Sequence, residues 1–143
     1  MPLNLMDAHF RSFAQLVVPE VVSEGIGLLS MKPLGGGDGI ILKSRTVSPI
    51  DCLHYALNLP TSVVITGIDK QEVLDQAFDA AKSFQLMTEQ QVADLVAKTA
   101  MVAHAGAYQL YKTSTHFDTT AHHPDWLGGE TPAVHNLAPQ STW

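Results

Sequence analysis

Two continuous apolar segments constrain the fold of this chain more than any other feature. They are "IGLLSM" at residues 26–31 and "SVVITGI" at residues 62–68. Apolar residues at successive positions are typical of strands that are covered on both faces, and a helix-sized interval separates the two segments. Parallel strands joined by crossover helices bury such segments, so the sequence predicts an α/β fold.

Cap residues predict the helices around these strands. A capping box pairs a side-chain oxygen with an acidic or amide side chain three residues later. This pattern occurs at Ser48 with Asp51, at Asp69 with Glu72, and at Thr88 with Gln91. An earlier helix is expected within residues 10–25, either starting late, near Gln15, or kinked at Pro19, and ending at Gly25. With a first short strand over residues 2–6, the predicted order is strand, helix, strand, helix, strand, helix, helix.

Charge and composition argue against several classes of partner. The formal net charge is −6 with eight Lys and Arg residues, which disfavours binding to nucleic acid or to an anionic membrane. No apolar run reaches the roughly 18 residues of a membrane span and no secretion signal is recognisable, so a cytoplasmic protein is expected. Cys52 is the one cysteine, which excludes an internal disulfide and predicts a buried, unreactive thiol.

The composition changes at Gly106, after which Thr, His, Pro and Gly dominate. We therefore expect residues 1–105 to form the folded part and residues 106–143 an extension, flexible after about residue 128. Within the extension lie His116, Asp118, His122, His123 and Asp125. Their spacing matches no zinc site, so surface histidines are favoured and no metal is predicted.

A glycine-rich loop follows the first apolar segment, in "LLSMKPLGGGDG", and "VVITGIDKQE" presents a second strand end about thirty residues later. The glycine-rich loop matches neither the dinucleotide fingerprint nor the Walker loop. Both stretches lie where ligands bind in parallel sheets, at the carboxyl ends of strands. Phosphate groups suit such a place, with Lys32 or Lys70 adding positive charge. Asp69 is expected to cap the next helix, and its alternative role is to accept hydrogen bonds from a ribose.

Three quoted stretches together resemble the aldo/keto reductase family. "GIGLLSMKPLGGG" followed by "HYALNLPTSVVITGIDKQEVLDQAF" resembles the carboxyl-terminal part of these enzymes, and "YKTSTHFDTTAHHPDWLG" resembles the ending of one bacterial branch. The resemblance covers the chain to about Gly128. It implies a partial TIM barrel, made of about the last three βα units with a C-terminal helix and an extended tail. It also implies an oxidoreductase that acts on aldehydes and ketones with NADPH or NADH.

The resemblance places the cofactor at two strand ends. The residues that it implies for binding NADP or NAD are Met31, Lys32, Leu34, Gly35, Gly67, Ile68, Asp69 and Gln76. Met31 falls beside the nicotinamide, Lys32 and Leu34 at the pyrophosphate, and Gln76 near the adenine. Gly67, Ile68 and Asp69 fall at the adenosine 2′-position. Three positions depart from the family: Met31 is not aromatic, Lys32 is not Ser, and Val73 stands where Arg is common.

The family's catalytic Asp, Tyr, Lys and His have no counterpart in this chain, so no catalytic residue is predicted. The first hypothesis is therefore a cofactor-binding portion that is inactive alone. The alternatives are a noncatalytic nucleotide- or anion-binding module, and a structural fragment that self-assembles to complete a barrel. Because a partial barrel leaves open strand edges, the chain is expected to pair with a missing N-terminal half or with a second copy of itself.

Overall fold

The computed structural model describes residues 1–36, 39–115, 119–123 and 126. Its sheet contains two parallel strands, β1 (Leu29–Met31) and β2 (Val63–Ile65), with Ser30 opposite Val64. A helix lies between them in the chain, as a parallel crossover requires. The α/β class predicted from the two apolar segments is confirmed, although each strand is shorter than its segment.

The first predicted strand is reduced to one bridge, between Pro2 and Met31. The chain turns immediately afterwards, because the side-chain oxygen of Asn4 accepts hydrogen bonds from the backbone N–H groups of Met6 (3.0 Å) and Asp7 (3.1 Å). Such local side-chain bonds compete with strand pairing. A 3₁₀-helix, Asp7–His9, follows.

Two short helices, α1 (Phe13–Leu16) and α2 (Val18–Ser23), replace the single helix predicted within residues 10–25. The kink expected near Pro19 is confirmed, because Pro19 occupies the first turn of α2, where a missing N–H costs nothing. The predicted stop is also confirmed. Gly25 takes the left-handed conformation (φ 67°) that ends many helices.

Both ends of α3 (Pro49–Asn58) follow from the sequence. Ser48 Oγ accepts from the N–H of Asp51 at 3.1 Å, and Asp51 Oδ2 accepts from the N–H of Ser48 at 2.9 Å. The predicted capping box is therefore confirmed. The helix ends before Leu59, whose extended backbone suits the proline that follows it.

The next two helices differ in how they begin. Thr88 and Gln91 form the predicted capping box of α5 (Glu89–Ala97). The cap predicted for α4 (Gln71–Ser83) is wrong, because the N-cap is Lys70 and no side chain caps it. Asp69 thus lies one residue outside the helix and forms no capping bond.

Apolar side chains from distant segments form two buried clusters. The larger contains Leu5, Met6, Ile41, Cys52, Tyr55, Leu95 and Ala103. It joins the N-terminal segment, a 3₁₀-helix (Ile40–Ser44), α3 and α5. The smaller contains Leu3, Val18 and Leu28, and packs the N-terminal segment and α2 beside the entry to β1.

One face of the sheet, called the bare sheet face, is exposed to solvent. Leu29, Met31, Val63 and Ile65 are between 40 and 51% exposed. Alternation along each strand and the observed register put these four side chains on one face. The sequence predicted strands covered on both faces, and in this chain only one face is covered.

The chain divides into two compact units, Met1–Thr113 and Ser114–Trp143. The first ends with a 3₁₀-helix (His104–Gly106) and α6 (Leu110–Thr113). In the second, α7 (Thr119–His122) precedes a stacked pair of rings, His123 and Trp126, with centroids 4.5 Å apart. Of the helices in the described ranges, none has the length and apolarity to cross a bilayer. The segment after residue 128, expected to be flexible, lies outside the described residues.

Candidate functional site

A cleft of about 400 Å³ lies where the two strands end. One wall comes from the loop after β1 and the following 3₁₀-helix, with Lys32, Leu34, Gly36, Gly39 and Leu42. The other comes from the loop after β2 and the first turns of α4, with Gly67, Asp69, Lys70, Val73 and Gln76. Because β1 and β2 are parallel, their carboxyl ends meet at one edge and bring these two loops together.

Five of the eight residues implied for cofactor binding line this cleft. They are Lys32, Leu34, Gly67, Asp69 and Gln76. Met31, Gly35 and Ile68 do not line it. Met31 lies on the bare sheet face, while Ile68 is 50% exposed outside the cleft.

Gly35 serves the packing of the loop. Its backbone is left-handed (φ 88°), and a Cβ there would lie 2.6 Å from Cγ2 of Ile40 and 2.8 Å from Cγ1 of Ile41. Only glycine fits so close to the 3₁₀-helix. Gly67 is different, because a Cβ there would meet no atom within 4 Å. Its bare backbone leaves room inside the cleft.

Charged groups of both signs face the cleft. Lys32 and Lys70 contribute ammonium groups and Asp69 a carboxylate. Lys32 Nζ also lies 5.1 Å from the centroid of the Tyr111 ring, a cation–π distance. The Asp69 carboxylate has no hydrogen-bond or ion-pair partner in the part of the chain that the structure describes.

The beginning of α4 adds backbone donors. The first helical bond runs from the N–H of Leu74 to the carbonyl of Lys70 at 3.2 Å. The N–H groups of Gln71, Glu72 and Val73 therefore precede the helical ladder and have no acceptor within it. With the helix dipole, such groups attract anions.

Buried polar side chains hold the loop after β1. Asn4 Nδ2 donates to the carbonyl of Lys32 at 3.1 Å, and Gln109 Nε2 donates to Asn4 Oδ1 at 3.3 Å. Gln109 also donates to the hydroxyl of Tyr111 at 2.9 Å. Burial raises the pKa of Tyr111, so its phenol stays neutral over a wider pH range. The first unit therefore fixes the cleft wall with residues from both of its ends.

The sequence did not identify three of the lining residues. Leu42 lies in the connection that follows the glycine-rich loop, Gly39 is the last residue of that loop but was not among the residues implied for binding, and Thr66 carries no chemical signal of its own. The supporting residues Asn4 and Gln109 were also missed. They are 105 positions apart, and no local pattern relates them.

Other titratable side chains have structural partners. Nε2 of His54 lies 3.0 Å from the carbonyl of Ala80, joining α3 to α4. Nε2 of His9 lies 2.9 Å from Thr99 Oγ1. Burial raises the pKa of Cys52 to about 12, with the charge of Asp51 adding to the effect. A thiol with this pKa is not a nucleophile at neutral pH.

No group of three or more His, Cys, Asp or Glu side chains in the described ranges is placed to hold a metal ion. His122 and His123 are within those ranges, at the end of α7 and just after it. His116, Asp118 and Asp125, which completed the histidine-rich set in the sequence, lie outside the described residues.

Comparison of the chain with protein-family models, with curated proteins and with solved structures found no match. The aldo/keto reductase resemblance therefore stays a prediction from the quoted residues.

Proposed function

We propose that this chain is the cofactor-binding, carboxyl-terminal portion of an NAD(P)H-dependent aldo/keto reductase. In this proposal, β1, β2 and the segment around Pro2 are part of a TIM barrel. The cleft is the observation that supports this proposal most directly. In it, two loops about thirty residues apart in sequence meet at the ends of parallel strands. Its volume of about 400 Å³ lies within the range of about 300–1,000 Å³ that is common for cofactor sites.

The cleft residues suit the parts of a dinucleotide. Lys32 and Lys70 supply positive charge for a pyrophosphate, and the free N–H groups at the start of α4 supply donors. Gly67 leaves space for close approach to the backbone. Asp69 has an acceptor free for ribose hydroxyl groups.

This portion binds and orients the cofactor without completing the reaction. The bound nicotinamide would supply or accept a hydride, while the proton donor for a carbonyl substrate would come from elsewhere in a complete barrel. Tyr55, nearly one helical turn after the buried Cys52, is itself 4% exposed, and burial with the charge of Asp7 raises its pKa to about 12. A phenol with this pKa is a poor general acid–base group at pH 7.

Charge reversal at the cleft tests the proposal. Calorimetric titration of the full chain with NADH and NADPH is expected to detect binding, and Lys70→Glu is expected to weaken both by on the order of tenfold or more. Lys82→Glu is the matched control, since Lys82 lies in the last turn of the same helix, with its ammonium group 5.8 Å from the Phe78 ring centroid. Binding of neither dinucleotide to the wild-type chain would refute the proposal.

A second candidate function is self-association, and the open edge of β2 favours it. The outer edge of β2 has no strand partner among the described residues, and residues 62–68 contain no charge or proline that would discourage pairing. Antiparallel pairing of β2 with the same strand of a second copy is self-complementary, as a twofold interface requires. This candidate gives the chain a structural role that needs no cofactor.

A further inference from the structure

Lys32 has an uncommon backbone conformation at the end of β1. Its φ is 54°, in the left-handed region that residues with a Cβ rarely adopt. Two hydrogen bonds to its carbonyl stabilise this conformation, one from the N–H of Gly35 at 2.9 Å and one from Nδ2 of the buried Asn4 at 3.1 Å. Strained residues persist only where surrounding contacts fix them, and they concentrate at ligand sites.

The side chain of Lys32 is also placed along its length. Its stem lies over Gly36, where an added Cβ would be 3.3 Å from Cδ and 3.5 Å from Cε of the lysine. Its ammonium group lies 5.1 Å from the centroid of the Tyr111 ring. Because a lysine stem normally samples many rotamers, contacts at both ends lower the entropy that is lost when an anion binds.

A buried amide, Gln109, fixes the Tyr111 ring in turn. Nε2 of Gln109 donates to the Tyr111 hydroxyl at 2.9 Å and to Oδ1 of Asn4 at 3.3 Å. Asn4 is also the residue that bonds the carbonyl of Lys32. One chain of hydrogen bonds therefore fixes both the backbone of Lys32 and the ring beside its ammonium group.

We propose that Tyr111 is a positioning residue, whose ring holds the ammonium group of Lys32 beside the cleft for a phosphate-type anion. This inference rests on the proposed binding function of the cleft, which Lys32 lines. The ring face attracts one side of an ammonium group, and this group has three N–H donors, so the contact leaves it able to bind phosphate oxygens. The ring has no net charge, so it orders the cation without cancelling its positive charge.

Ring-current shifts test this placement with no ligand present. In the proton NMR spectrum of the full chain, the ε-methylene protons of Lys32 are expected to resonate upfield of those of the exposed Lys98. Tyr111→Leu should abolish the difference, and Tyr111→Phe should keep it because the ring remains. Equal resonances of the two lysines in the wild-type chain would overturn the positioning role.

Calorimetric titration with inorganic pyrophosphate tests the consequence for binding. Tyr111→Leu is expected to raise the Kd by about three- to tenfold, the scale of ordering one long side chain. Tyr111→Phe should keep the Kd within about twofold of the wild-type value, since it retains the cation–π contact. Phe78→Leu is the matched control and should leave the Kd unchanged, because the Phe78 ring contacts Lys82 of α4, and neither residue lines the cleft.

A double-mutant cycle separates positioning from a general effect on the fold. In the Lys32→Gln background, Tyr111→Leu is expected to cause no further rise in Kd, because the ring then has no cation to hold. An equal rise in both backgrounds, or no rise in the wild-type background, would overturn the positioning role and leave cleft binding in place. Failure of pyrophosphate to bind would overturn this inference, and failure of both dinucleotides as well would overturn the proposed function.

Discussion

The ammonium group of Lys112 lies 2.5 Å from the carboxylate of Asp7, a residue 105 positions earlier in the chain. Both side chains are buried, with exposures of 4% and 0%. Asp7 also accepts from the backbone N–H groups of Phe13 and Ala14, and so holds the first turn of α1. One buried carboxylate thereby joins α6, the N-terminal turn and α1.

Removing the cation from this pair is expected to be costly. Lys112→Met should lower the free energy of unfolding by about 3–5 kcal/mol, because it leaves the buried Asp7 carboxylate without its counter-charge. Urea unfolding followed by circular dichroism measures the change. Lys98→Met is the control, since Lys98 is exposed after α5 and should cost less than about 1 kcal/mol. Equal losses of unfolding free energy in the two variants would show that the buried ion pair adds no more stability than an exposed lysine does.

Removing a helix cap is expected to lower the free energy of unfolding by a smaller amount. Ser48→Ala and Thr88→Ala should each lower the free energy of unfolding by about 1 kcal/mol, because each removes the acceptor of a capping bond. Lys70→Ala should change it by less than about 0.5 kcal/mol, since Lys70 occupies an N-cap position without a capping side-chain bond. Chemical denaturation of the three variants checks this, and a cost at Lys70 equal to that at Ser48 would contradict the observed cap geometry.

Substitution by alanine should affect stability strongly at Gly106 and weakly at Gly67. Gly106→Ala is expected to cost at least about 2 kcal/mol, because φ is +76° and the new Cβ would lie 2.7 Å from Cδ1 of Phe10. Gly67→Ala should change stability by less than about 1 kcal/mol, since nothing lies within 4 Å of the added methyl group. The Kd for a dinucleotide should nevertheless rise in Gly67→Ala, because the methyl group occupies the cleft. Thermal unfolding and calorimetric titration separate the two effects.

Alkaline pH should destabilise the fold. Burial raises the pKa of Tyr55 from 10.0 to about 12. A raised pKa of an acidic group means that the folded state keeps the neutral phenol, so this contribution is complete below pH 10 and is lost as pH rises from 10 to about 12. We expect Tyr55 to account for a loss of about 2–3 kcal/mol over that window. Urea midpoints measured from pH 7 upward should fall less steeply in Tyr55→Phe, and parallel curves would refute the prediction.

Self-association through the open edge of β2 predicts a concentration-dependent assembly. Ile65→Lys should produce a monomer, because it puts a charge on the exposed face at the open edge strand. Leu86→Lys is the control, since Leu86 is 81% exposed in the connection before α5 and belongs to neither strand. Sedimentation velocity measures both variants beside the wild-type chain. A wild-type monomer at every concentration would eliminate the second candidate function.

The sequence predicted the local features of the fold better than the distant ones. The caps at Ser48 and Thr88 and the stop at Gly25 depend on neighbouring residues, and the structure confirms all three. Asp69 shows the limit of such patterns. Its spacing to Glu72 fits a cap, but Lys70 is extended (φ −145°, ψ 158°) and starts the helix one residue later.

The candidate site was predictable where it depends on strand order. Two apolar segments implied adjacent parallel strands, and that adjacency brings Lys32 and Gly67 into one cleft. The supports of the cleft were not predictable. The bond between Gln109 and Asn4 depends on how the end of the first unit packs against its beginning, and neither residue belongs to a periodic or capping pattern.

The contact between Lys112 and Asp7 also sets a delay during synthesis. The two residues are 105 positions apart, so at about 5–20 residues per second Asp7 leaves the peptidyl transferase centre some 5–20 s before its partner. During that interval the carboxylate stays hydrated, and the turn that it organises lacks its counter-charge. We therefore expect the N-terminal residues to reach their native burial only after α6 has left the ribosome, and a nascent chain ending before Lys112 to remain open to proteases.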